Sequence, residues 1–94
     1  MTARAYRLLV TRTAQKEILG LPAKIRRQVE ATIDRLVSTV NQGNRTQDIK
    51  PIKGDLDAYR IDSGEYRVLF YLYDHDALVQ VTRVLHRKDA YRHV

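Results

Sequence analysis

"AYRIDSGEYRVLFYLY", residues 58–73, decides how this chain folds. Two runs rich in aromatic and branched side chains flank Ser63-Gly64, a polar pair suited to a tight turn. The stretch therefore predicts a β-hairpin. Side chains alternate along a strand. Val68, Phe70 and Leu72 then share one face, and Arg67, Leu69, Tyr71 and Tyr73 share the other. The first face is wholly apolar and suits a core. The second is amphipathic, as expected of a surface exposed or covered by a partner.

Downstream, "YDHDA" (73–77) turns the chain again and "LVQVTRVLH" (78–86) supplies a last strand. Upstream, "IKPIKG" (49–54) reads as a connector carrying Pro51 and Gly54. "YRLLVT" (6–11) is a short apolar run that predicts a first strand. Between these strands lie two helical patterns. In "TAQKEILGL" (13–21), Thr13 is a candidate N-cap, and Ala14, Ile18 and Leu21 recur at helical spacing. Gly20 and Pro22 end that helix and begin the next. Ile25, Val29, Ile33, Leu36 and Val40 then form one apolar stripe, and the polar "NQGNRTQ" (41–47) stops it. The order β-α-α-β-β-β predicts an α+β fold. A small antiparallel meander gains an N-terminal strand, with a two-helix hairpin on one face. No linker or repeat divides the chain, so residues 1–94 are read as one domain.

The 94 residues carry 17 Lys+Arg against 11 Asp+Glu, a net charge of +6, which favours an acidic or polyanionic partner. There are no cysteines, which excludes disulfides and thiolate metal sites. The histidines at 75, 86 and 93 have no i,i+4 pairing, so neither a metal nor a cofactor is expected. No signal peptide or membrane-length apolar run appears, so the expectation is a cytoplasmic protein without a membrane partner.

The charged positions converge. Arg60 and Asp62 share parity on one strand of the hairpin, as do Arg83 and Arg87 at the last strand. If the register groups them with Arg67, one sheet face carries Arg60, Arg67, Arg83 and Arg87 near Tyr71 and Tyr91. Like charges on adjacent strands repel. Such a cluster needs an anion, or acidic neighbours such as Asp62 and Glu65, to neutralise it. His86 has core-face parity.

"IKG" (52–54), "YRI" (59–61), "GEYRVLF" (64–70) and "VLHRKDAY" (84–91), after an N-terminal "AQKEILGLP" (14–22), together resemble the RelE family of toxins in the RelE/ParE superfamily. The resemblance covers nearly the whole chain in order. It implies the toxin of a type II toxin–antitoxin system, a ribosome-dependent, metal-independent endoribonuclease that cuts mRNA codons in the ribosomal A site. It also implies an acidic RelB-like antitoxin, a heterotetramer with it, and operator DNA contact only through that complex. By matching motifs, Arg60, Arg67, Arg87 and Tyr91 take catalytic positions. A second basic position of the family is Asp62 here. His86 is the candidate proton carrier, because its reference pKa of about 6.5 lies near neutrality. Lys53, Arg83 and Tyr71 are candidate RNA contacts. Two other readings share the fold: a ParE-type inhibitor of DNA gyrase, and a non-catalytic module binding antitoxin or nucleic acid.

Overall fold

The computed structural model describes residues 5–43 and 48–90. The elements run β1 (Arg7–Val10), α1 (Arg12–Leu19), α2 (Ala23–Asn41), β2 (Ile49–Pro51), β3 (Ala58–Ser63), β4 (Tyr66–Tyr73), β5 (Leu78–His86) and α3 (Arg87–Ala90). The strands form one sheet in the order β1-β5-β4-β3-β2. The meander β3-β4-β5 is antiparallel, while β1 joins the outer side of β5 in parallel. The α+β architecture is as expected, with two additions: the short β2 and the one-turn α3.

β2 corrects the reading of residues 49–54 as a connector. Ile49 packs into the core opposite Ile61, and Lys50 and Pro51 pair with Arg60 and Tyr59. Pro51 is compatible with a strand here because β2 is the sheet's edge, where a missing N–H leaves no ladder bond unmade. The hairpin loop lies one residue later than expected, at Gly64-Glu65, with Ser63 paired to Tyr66. Gly64 adopts φ 58°, the left-handed conformation that a two-residue hairpin loop demands.

α1 also starts earlier than Thr13 would place it. Thr11 is the N-cap; its hydroxyl accepts from the Ala14 N–H and donates to the Thr82 carbonyl of β5. One side chain therefore fixes both the start of the helix and its position against the sheet.

The core lies between the helices and one sheet face. Ala14 and Ile18 of α1 and Val29, Ile33, Leu36 and Val40 of α2 cover Val68, Phe70, Leu72, Val79, Val81 and Val84. β5 reaches this face through an irregularity. Leu69 pairs with Arg83 and Phe70 with Val81, so Thr82 is an extra residue bulged out of register. Its hydroxyl donates to the Leu69 carbonyl at 3.3 Å. The bulge explains why the apolar spacing in β5 changes from two residues (Val79, Val81) to three (Val84).

β1 ends at Val10, so the second half of β5 needs another partner. Glu17 of α1 supplies it. Its Oε1 accepts the Val84 N–H at 2.8 Å, and its carboxylate takes both Nε and Nη2 of Arg83, at 3.0 and 2.9 Å to Oε2. Glu17→Ala removes the acceptor of a half-buried backbone N–H and a two-pronged ion pair. The expected loss is about 1–3 kcal/mol, and each kcal/mol lowers the melting point of a domain this size by about 4–8 °C. A melting curve identical to that of the parent protein would contradict this role for Glu17.

Candidate functional site

Among the described residues, α1 and α2 pack on one face of the sheet and leave the opposite face open over β3 and β4. Its strand pairing sets out two rows. One runs Lys50, Arg60, Leu69, Arg83 across β2, β3, β4 and β5; the next runs Asp62, Arg67, Leu85. Leu69 and Leu85 are buried and pack with Ile52, forming a small apolar floor between the cationic side chains. A guanidinium above apolar surface is partly stripped of water, which strengthens its interaction with any anion that reaches it.

Arg60 and Arg67 come together as expected, and Asp62 lies between them. Asp62 Oδ1 is 3.0 Å from Arg60 Nη1 and 3.5 Å from Arg67 Nε. The hairpin register produces this geometry: Asp62 is the direct cross-strand partner of Arg67, and Arg60 is two residues back on the same face.

Arg87 stands at the end of β5, as the first residue of α3. Its N–H donates to the Glu65 carbonyl at 2.7 Å, and its Nε is 3.8 Å from Glu65 Oε2. The hairpin loop and the end of the last strand are thereby tied together. His86 is on the other side of the sheet, the side of Val84, with its ring edge-on to Tyr66 at 5.3 Å. Its Nδ1 accepts the Lys88 N–H at 3.2 Å, and its Nε2 is 4.0 Å from Glu65 Oε2. With Nδ1 occupied as an acceptor, the neutral ring carries its proton on Nε2.

The remaining expected residues are dispersed. Arg83 shares the row of Arg60, but its guanidinium is engaged by Glu17. Tyr71 lies further along the open face, stacked on Tyr73 at 5.7 Å and donating its hydroxyl to Asp55 Oδ2 at 2.8 Å. Lys53 is exposed in the turn between β2 and β3. Tyr91 falls outside the described residues. Two residues were missed: Lys50, hidden by the connector reading of 49–54, and Glu17, whose partners are 66 and 67 residues away. The alternation Ile49-Lys50 was the available signal for the first; nothing local announced the second. Among the described residues no group of His, Asp and Glu is arranged to hold a metal ion.

The Tyr71–Asp55 hydrogen bond, with the Asp55 charge beside it, holds the phenol's pKa above the usual 10.0. A pKa raised on folding contributes stability that is present below the unfolded value near 10 and is lost as pH rises through the folded value. In absorbance titration the Tyr71 phenol is therefore expected to ionise at a lower pH in Asp55→Asn than in the parent protein. An unchanged titration in that variant would contradict the contact.

The profile of a family described as "ParE toxin of type II toxin-antitoxin system, parDE" matches residues 8–91. Toxin RelE3 of Methanocaldococcus jannaschii is 32% identical over 85 residues, spanning 90% of this chain and 94% of the relative. The chain belongs to the RelE/ParE superfamily of type II toxins. Solved relatives of this toxin agree in fold. The RelE of a RelB–RelE antitoxin–toxin complex from Methanococcus jannaschii has a TM-score of 0.69 at 30% identity, covering 90% of this chain and 96% of that one. The RelBE2 complex of Mycobacterium tuberculosis has a TM-score of 0.70 at 26% identity, covering 89% and 100%. The isolated RelE toxin of E. coli superposes with a TM-score of 0.67 at 25% identity, covering 96% and 100%. No described helix of this toxin is long and apolar enough to cross a membrane.

Proposed function

We propose that this toxin is a metal-independent endoribonuclease that cuts mRNA in the ribosomal A site and so stops translation. The observation that carries this reading is the pair Arg60–Arg67, held side by side over an apolar floor on the open sheet face, with Arg87 at the sheet's end. In the reaction the 2′-hydroxyl of one nucleotide loses its proton and bonds to the adjacent phosphorus. The bond to the 5′-oxygen breaks, and that oxygen gains a proton, leaving a 2′,3′-cyclic phosphate and a 5′-hydroxyl. Negative charge builds on the non-bridging oxygens of the five-coordinate phosphorus. Arg67 and Arg87 stabilise that charge and Arg60 holds the phosphate. Tyr91 stacks on a base, worth about 1–3 kcal/mol, and Lys53, Tyr71 and Arg83 line the approach of the RNA. His86 faces the helix side of the sheet, away from Arg60 and Arg67, so water takes the 2′-hydroxyl proton and supplies the one gained by the leaving oxygen.

The partner is an acidic RelB-like antitoxin segment, laid across the basic face in exchange for Arg–carboxylate contacts. Complexes with RelB are how several of the solved relatives were captured. The test is a cell-free translation reaction given purified toxin, with mRNA 5′ ends mapped by primer extension. Ends within A-site codons support the reading. The matching family profile bears the ParE name, and intact mRNA beside inhibited gyrase supercoiling would favour gyrase as the target.

A further inference from the structure

The Asp62 carboxylate stands where an oxygen of a bound anion would stand. Both of its arginine contacts, at 3.0 Å and 3.5 Å, converge on the single atom Oδ1. A phosphate oxygen bound to the same N–H groups would use the same donors with the same geometry. We propose that Asp62 is a resident counter-anion of the site. It holds Arg60 and Arg67 in position, competes with RNA phosphate for them, and swings out when the phosphate enters. This rests on reading the open face as the RNA site, and it makes Asp62 a positioning residue.

Exposure says which member of the trio moves. The Arg60 and Arg67 side chains are 22% and 24% exposed, whereas Asp62 is 46% exposed. The arginines are the more buried members, and the carboxylate is the part that can return to water cheaply. An ion pair this open is weak and easily exchanged, so an incoming phosphate can displace it. Without the carboxylate, two guanidiniums on neighbouring strands would repel and splay. Asp62 thus keeps the empty site assembled and lowers its affinity at once.

The experiment is fluorescence anisotropy with the full chain and a short, labelled, 2′-O-methyl oligoribonucleotide, which lacks the attacking hydroxyl. Asp62→Asn keeps the side chain's shape and removes its charge. It should tighten binding by about tenfold or more, a factor worth 1.4 kcal/mol. Asp57→Asn, in the exposed turn before β3, changes net charge equally and should alter affinity less than about threefold. In an Arg67→Ala background the gain from Asp62→Asn should shrink, because the two residues are coupled. Equal effects of Asp62→Asn and Asp57→Asn overturn the proposal, as does an absence of binding by both variants. Cleavage of mRNA by a protein whose oligonucleotide affinity ignores Asp62 removes the counter-anion and leaves the nuclease. Tightening without any cleavage does the reverse.

Discussion

Arg67→Ala is expected to lower mRNA cleavage by about a hundred- to a thousand-fold while leaving the protein folded. Arg67 is half-buried on the open face, opposite Asp62 on β3 and Leu85 on β5. Its position is set by the hairpin register, so its charge is in place before the reaction begins. That preorganisation gives a fixed cation its leverage over a transition state that gains negative charge, where a solvated one would spend energy reorienting. Removing it leaves the strand pairing and the helix-side core untouched, so circular dichroism and melting should change little. Arg87→Ala should produce a loss of the same order, since it faces the same developing charge from the strand's end. The readout is the rate at which A-site primer-extension products appear. Near-normal rates in both variants would remove the arginine clamp, whereas His86→Gln, on the other side of the sheet, should keep most of the activity.

Phe70→Ala is expected to cost about 3–5 kcal/mol of folding stability. Phe70 is 1% exposed, the largest of the fully buried side chains, and its ring stacks on Tyr59 at 6.0 Å. It sits at the middle of β4, immediately beside the β5 bulge, where backbone collapse into a cavity is opposed by strands on both sides. Native domains are stable by only about 5–15 kcal/mol, so the loss is a large share of the total. Urea unfolding, carried out in the Arg67→Ala background to spare the expression host, should show a lower midpoint with an unchanged slope. A loss under about 1 kcal/mol would mean that the core repacks around the gap.

What the chain discloses before folding depends on how local each contact is. The hairpin 58–73 was legible because its alternation and its turn lie within one short stretch. The stripe of α2 was legible because helical periodicity repeats along five apolar residues. The Arg60–Asp62–Arg67 trio was legible in part. Shared parity grouped it, and the register that brings Asp62 opposite Arg67 follows from where the loop falls. β2 was not legible, because a three-residue strand containing proline has too few alternations to separate from a loop. The parallel placement of β1 against β5 was also invisible, since sheet order is decided by packing across the whole chain. The Glu17–Arg83 pair shows the same limit: a charged residue on an amphipathic helix face carries no mark of the distant strand edge that it completes.

The partnership of β1 with β5 bears on when the molecule becomes dangerous. Thr11 and Thr82, which bond at their junction, are 71 residues apart. While the chain is being made, β1, α1 and α2 leave the ribosome with no sheet to pack against, and Ala14 and Ile18, buried against β5 in the finished core, stay uncovered. Pairings this remote in sequence are the slow ones to form, and the unpaired strand is open meanwhile to chaperones or to aggregation. β4, which carries Arg67, gains its second neighbour only when β5 has emerged, and Arg87 follows later still. A nascent copy therefore has no assembled arginine site until its last strand has paired. The order of the strands acts as a delay fuse.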